Sequence, residues 1–235
     1  MSEALDKVRG VRELPVFPLP LVLFPGVPLP LHIFEERYRR MLADVRASNN
    51  LFGLSNLVPE SAPEGRPPAG HVGCATEVVE VQPLPDGRSN ILTLGVARYR
   101  IVEYVERGDP YLVARVEFFE DEEEDREVVE RRAAEVSEMF MRIARAMRTV
   151  NAERGALPEL PQGDPERLSF LVAAVVEMDA EAKQRLLETR STTGRLRRLY
   201  TLLAQAVDSY EERARTHELA RGNGHAGKKI DLDEE

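Results

Sequence analysis

The chain has 235 residues, 43% of them hydrophobic and 31% charged, with a net charge of -9; that is enough apolar material for one large domain or two small ones around a real core. The acidic balance argues against a nucleic-acid partner, because neutralising phosphates takes clustered Lys and Arg. Cys74 is the single cysteine, which excludes an internal disulfide and a thiolate zinc cluster and suggests a reducing compartment. The opening MSEALDKVRGVREL holds no apolar signal core, and no stretch approaches the ~20 apolar residues of a membrane span, so a cytoplasmic protein without membrane contact is expected.

Residues 1–12 read as an N-terminal tail. From Leu14 to Val45 the chain runs LPVFPLPLVLFPGVPLPLHIFEERYRRMLADV. Each proline fixes φ and removes a backbone donor, so nothing before about Ile33 can be helical and short extended pieces are expected. Phe24-Pro25-Gly26-Val27 has proline and glycine in the order of a type II turn. After Phe34, Tyr38, Met41, Leu42 and Val45 recur at helical spacing, with Glu35 and Glu36 in the first turn and Arg37, Arg39 and Arg40 behind them. Asn49-Asn50 is a helix stop and Leu51–Leu54 a short strand. Pro59 to Gly70 is a loop rich in proline and glycine. Val72–Val81 and Asn90–Val105 are strands joined by an Asp86-Gly87 hairpin turn, the second with a possible break at Gly95, and Tyr111–Phe119 is a further strand. The pattern predicts a small antiparallel sheet or barrel around one helix, over residues 13–120.

Charge then shifts. Residues 1–119 hold 13 of the 32 Lys/Arg and 15 of the 41 Asp/Glu, leaving 19 and 26 for residues 120–235, and the run Glu120–Glu127 marks the change. Residues 121–220 read as helical. Val129, Ala133, Val136, Phe140, Ile143, Met147 and Val150 form a narrow apolar seam. Asp164-Pro165-Glu166 opens a helix through Met178 that buries Leu168, Leu171, Val172, Val175 and Val176. Asp179 caps a third helix ending near Thr189. A fourth, from Thr193 to about Ala220, places Leu196, Leu199, Leu203, Val207 and Tyr210 on one face. Residues 221–235 are polar and predict a disordered tail.

The motifs that carry chemistry are thin. Gly222 to Lys229 approaches a P-loop but ends on Lys where Mg²⁺ needs a hydroxyl, and it follows a helix rather than a strand. His71 and Cys74 are three apart with no second pair to complete a metal site, and Cys74 as a nucleophile has only His71 for a base. No G-x-S-x-G or S-x-x-K occurs. The acidic run lacks the alternate ligand spacing of a calcium loop. No catalytic residue, cofactor or metal is therefore assigned, and binding remains.

The run LPVFPLPLVLFPGVPLPLHIFEERYRRML, together with DPERLSFLVAAVVEMDAEAKQRLLETRSTTGRLRRLYTLL, resembles the N-terminal, substrate-recognition domain of Lon proteases. The likeness runs over roughly residues 12–208. It implies an α+β architecture: an antiparallel, PUA-like β pseudobarrel with one helix, followed by a C-terminal helical bundle. It further implies a stand-alone, non-enzymatic module without the ATPase and serine–lysine protease parts, which binds unfolded or tagged polypeptides or a partner protein in protein quality control. The residues by themselves point to Phe34 and the Pro59–Gly70 loop as places for partner contact; the resemblance points to the charged helix start beside Phe34, namely Glu35, Glu36 and Arg37. The rival expectation is a PUA-like RNA-binding protein, which a basic groove on the β half would mark; an enzyme with an unlisted site comes third. A monomer or weak dimer is expected.

Overall fold

The computed structural model describes residues 3–57, 65–151 and 156–223. The chain divides into two compact units, both discontinuous in sequence: residues 1–123 with 166–192, and residues 124–165 with 193–235. The first carries a helix α1 (Glu3–Lys7), strands β1 (Glu13–Leu19) and β2 (Pro28–Ile33), helix α2 (Glu36–Arg46), strands β3 (Leu51–Asn56), β4 (Val72–Pro83), β5 (Ser89–Tyr104) and β6 (Leu112–Phe119), then helices α4 (Pro165–Val175) and α5 (Ala180–Glu188). The second is built on α3 (Arg126–Val150) and α6 (Thr192–Asn223). Within residues 1–12, α1 forms, and Val8 is buried in the core with Leu5 packed beside it.

The six strands form one mixed sheet in the order β2-β5-β4-β3-β1-β6, and β6 also pairs with β5. The expectation of a wholly antiparallel sheet needs correction, because β1 and β3 are parallel, Val16 opposite Gly53 and Phe17 opposite Leu54. The cause is the connection: β2 and α2 lie between them in the chain, and a crossover of that kind returns a strand in the same direction. The remaining pairs are antiparallel.

The proline-rich entry folds as its chemistry dictates. Val27 N–H donates to the Phe24 carbonyl at 3.2 Å and Gly26 takes φ 74°, closing the turn between β1 and β2. That turn docks on β5: Gly26 N–H donates to the Gly95 carbonyl at 2.9 Å and Gly95 N–H to the Val27 carbonyl at 3.0 Å. Gly95 is thus no break. β5 runs through it with a bulge, Ala75 pairing Ala97 while Thr76 pairs Gly95, and a Cβ at Gly95 would stand 2.2 Å from the Phe24 carbonyl oxygen.

Apolar residues from β1, β5 and β6, among them Leu14, Val16, Tyr99, Ile101 and Val116, form one core. A second lies beneath α2, where Tyr38, Met41, Leu42 and Val45 meet Phe17, Ile33, Phe52 and Ile91. Burying each such large side chain contributes roughly 1.5–3 kcal/mol. The Phe17 and Tyr38 rings lie 4.0 Å apart. On the same unit Phe170 of α4 stacks on Phe24, and Gln184 of α5 donates to the Val72 carbonyl at 2.9 Å.

The α4 expectation is corrected in two respects. The helix stops at Val175 rather than Met178, and Val175 is 65% exposed, because the buried face is Leu168, Ser169, Phe170, Val172 and Ala173. In the second unit α3 is capped by Asp125, whose carboxylate accepts from the amides of Glu127 and Val128. Its seam buries Ala133, Val136, Phe140 and Ile143 as the spacing predicts, then moves to Ala146, leaving Met147 42% exposed. The 4-3 rhythm assumes a 3.5-residue period; a straight helix with 3.6 drifts from it by about 20° per heptad, which accumulates along a helix of this length. α6 buries Leu196, Leu199, Leu203 and Val207. A bidentate pair from Arg142 to Glu211, at 2.9 and 3.1 Å, ties α3 to α6.

Candidate functional site

Four residues were singled out by sequence, Phe34 to Arg37, and the structure places them at the corner between β2 and α2. β2 buries Ile33 and turns Pro28, Pro30 and His32 outward; Phe34 continues that outward row one residue past the strand and is 58% exposed. Its ring stacks on His32, centroids 5.9 Å apart, and His32 Nδ1 lies 2.7 Å from Asn90 Oδ1 on β5. Register puts Leu92 of β5 beside Pro30 on the same outward face. Leu92 is also exposed. The result is an apolar strip on the sheet, which the sequence reading of Phe34 alone did not include. The signal was present in the alternation of P-L-P-L-H-I, but pairing with Leu92 is a long-range fact.

Glu35 is the N-cap residue of α2, yet its side chain makes no capping bond. It accepts instead from Arg37 Nε at 2.9 Å, and the Arg37 guanidinium lies 4.5 Å over the Tyr38 ring. Tyr38 is anchored in the core beneath α2, and burial raises its phenol pKa, with Arg37 opposing and Glu35 reinforcing. The corner charges therefore satisfy each other locally, while Glu36 stays exposed in the first turn, where the helix dipole favours it. Further along, Arg40 pairs with Asp44 at 2.9 Å, one turn on. The corner thus presents an exposed aromatic ring, stacked on His32, beside a locally paired Glu35 and Arg37.

The other sequence candidates are not brought together with it. Cys74 is fully buried in the sheet, and burial pushes its thiol up to about 12, so the thiolate a nucleophile needs does not form near neutral pH. His71 stands at the start of β4 with its pKa lowered, chiefly by burial, against a smaller opposing pull from Glu188. Among the described residues no group of three or more His, Cys, Asp or Glu side chains could hold a metal ion. Most of the P-loop-like stretch after Gly222, and His225 with it, lies outside the described residues, as does the first half of the Pro59–Gly70 loop. No described helix is long and apolar enough to cross a membrane.

The sequence model of the ATP-dependent protease La (LON) substrate-binding domain matches residues 13–205. The chain belongs to the LON substrate-binding domain family. Among curated relatives, this LON domain is 28% identical to Lon protease 2 of Herpetosiphon aurantiacus over 213 residues, covering 89% of the chain and 26% of that protein. It is 30% identical to the Lon protease of Anaeromyxobacter dehalogenans over 203 residues, covering 81% of the chain and 23% of that protein. The LON domain chain thus spans about a quarter of the length of the curated relatives it matches. Two solved structures share its fold: the N-terminal domain of a Mycobacterium avium complex Lon protease, at TM-score 0.63 and 19% identity over 82% of this chain and 98% of that one, and a Lon N-terminal domain protein from Xanthomonas campestris, at 0.57 and 21% over 81% and 98%.

Proposed function

We propose that this LON domain is a non-catalytic module that binds polypeptide in the cytoplasm, in the service of protein quality control, and that the Phe34–Arg37 corner makes the contact. The observation that carries the polypeptide reading is the family match over residues 13–205. Phe34 supports the location: a large aromatic side chain held in the open costs solvation, and a ring backed by His32 and a locally paired Glu35–Arg37 loses little entropy when a partner covers it. The pairing circuit β5-β4-β3-β1-β6 and back to β5 supports a pseudobarrel, and the α3–α6 pair supports a helical bundle. Along the chain, the matching proposal is a tail over residues 1–12, a β-rich part over 13–120, a helical part over 121–220 whose residues 166–192 pack back into the first compact unit, and a second tail over 221–235.

The test is equilibrium binding of a permanently unfolded, labelled polypeptide, followed by fluorescence anisotropy. Wild-type protein binds it, and Phe34→Ala weakens binding by about 1–2 kcal/mol, roughly 5- to 30-fold, with unchanged circular dichroism. The purified chain hydrolyses neither ATP nor peptide. Capture of RNA alone from a lysate, with no binding to the unfolded probe, would overturn the reading.

A further inference from the structure

The start of β4 meets α5 through polar groups. The His71 carbonyl accepts from the Ile101 amide of β5 at 2.9 Å, so in the alternation of an antiparallel pair the next carbonyl, that of Val72, points away from β5. β3 pairs with β4 only as far as Cys74, and Gln184 of α5 takes the free Val72 carbonyl instead. Its Nε2 donates there at 2.9 Å and to Glu188 Oε1 at 2.8 Å. Both of those partners are acceptors, which fixes the amide: its nitrogen has to face them and its oxygen the other way. Gln184 is only 9% exposed, and that oxygen is buried with no hydrogen-bond partner among the described residues. Nε2 of His71, the residue before Val72, is buried in the same condition. The two atoms do not bond to one another.

Glu188 joins them. Its carboxylate holds the Gln184 amide, it is the charged group that acts on His71, and it is exposed, which gives an ion a way in. The cations around it are engaged with other groups: Arg100, opposite Val72 on β5, donates to the Gly70 carbonyl at 2.9 Å, Lys183 to the Ala174 carbonyl at 2.8 Å, and Arg185 pairs with Glu181. The corner therefore gathers an imidazole nitrogen, an amide oxygen and a carboxylate, all three able to offer lone pairs. A set of that kind suits a cation. Mg²⁺ and Ca²⁺ take oxygen alone, whereas one imidazole with two oxygens suits a first-row transition metal. Only two of the three donors are histidine, cysteine or carboxylate side chains, and they lie on elements far apart in the chain, so no local spacing marks them.

We propose that His71, Gln184 and Glu188 form a binding site for a divalent transition-metal ion of the nickel or zinc class, with water completing its coordination, and that the ion ties α5 to the start of β4. The site stands apart from the Phe34 corner and does not depend on the polypeptide reading. Burial holds the His71 imidazole in its neutral form near neutral pH, the form a metal requires.

The experiment is calorimetric titration of the full chain, freed of metal by chelator, with Ni²⁺ and separately with Zn²⁺ near neutral pH. One ion per chain is expected. His71→Ala should abolish binding, Gln184→Leu and Glu188→Gln should each weaken it by about tenfold or more, and a His217→Ala, His225→Ala double variant should leave it unchanged. A readout on the unsubstituted protein guards against variants that fold poorly: paramagnetic Ni²⁺ should broaden the amide resonances of residues 70–73 and 184–188 first. Broadening centred on His32, His217 or His225, or binding that survives His71→Ala, would show an adventitious ion only and overturn the proposal. Absence of binding up to about millimolar metal would show that water alone serves the two buried atoms, and overturns it equally.

Discussion

Arg98 is the side chain on which most depends at the scale of single residues. It projects from β5 into the unit's interior, where its guanidinium donates to the Leu187 carbonyl at 3.0 Å and the Thr189 carbonyl at 2.8 Å, pairs with Asp121, and lies over the rings of Phe119 and Phe170. Asp121 in turn accepts from the Thr192 hydroxyl. The pair is all but sealed from solvent, side chains 1% and 7% exposed. Leu187 and Thr189 close α5, so the cation also meets the negative end of that helix. Removing one partner of such a pair strands the other: Arg98→Met is expected to cost on the order of 3–5 kcal/mol in urea denaturation. Arg98→Lys should recover only part, because an ammonium cannot fork between two carbonyls and a carboxylate. His71 carries the second residue-scale prediction. Its Nε2 is buried with no hydrogen-bond partner among the described residues, and its folded-state pKa lies below 6.5, chiefly through burial. Above pH 6.5 the imidazole is neutral in both states and costs nothing; as pH falls from there to the folded-state pKa, only the unfolded chain takes up the proton, and stability is lost. Chemical denaturation at pH 7.5 and 5.5 should show that loss, and His71→Gln should reduce it; an unchanged pH difference would exclude His71 as its source.

Among the elements, the turn between β1 and β2 shows how a sequence signal acquires its meaning. Proline and glycine at positions 25 and 26 specify the turn locally, and Gly26 at φ 74° fills the left-handed position. What the turn is for appears only when it meets β5, where two main-chain bonds join it to Gly95 with no room for a side chain between them. Gly95→Ala, whose methyl would fall 2.2 Å from the Phe24 carbonyl oxygen, is expected to destabilise by about 1–3 kcal/mol and lower the thermal midpoint. A neutral or stabilising result would mean that the turn can lift off β5 freely. The elements themselves were largely legible. Period-2 and period-3.6 patterns act locally, so the strands, the Asp179 cap of α5 and the start of α4 at Pro165 could be anticipated, whereas the Asp125 cap of α3 emerged only in the structure. The faces were less so. Val175 reads as apolar and helical but emerges exposed, while Phe170 and Ala173 are buried, because what covers each face of α4 is set by distant chain.

At the scale of the whole molecule, the acidic run from Glu120 to Glu127 announces a change of architecture without saying which helices follow it into a new unit. α4 and α5 return to the sheet-bearing unit, whereas α3 and α6 build the other. That regrouping depends on partners such as Phe24 for Phe170, Val72 for Gln184 and Arg98 for the end of α5, pairs separated by more than a hundred residues or nearly so, which no local pattern encodes. The same division holds at the candidate site. The sequence alone determined that residues 14–33 are extended and proline-broken, that a helix begins at the Phe34 corner, and, through its motifs, the likeness to the LON substrate-binding family, because proline geometry, turn chemistry and helical periodicity are properties of neighbouring residues. Only the tertiary structure decided that β1 lies parallel to β3, that β2 pairs among the described strands with β5 alone, that Glu35 pairs with Arg37 instead of capping its helix, and that Leu92 stands with Phe34 on one outward face. Each of those is a matter of which distant strand or side chain arrives alongside, and that is settled by the burial of the whole core.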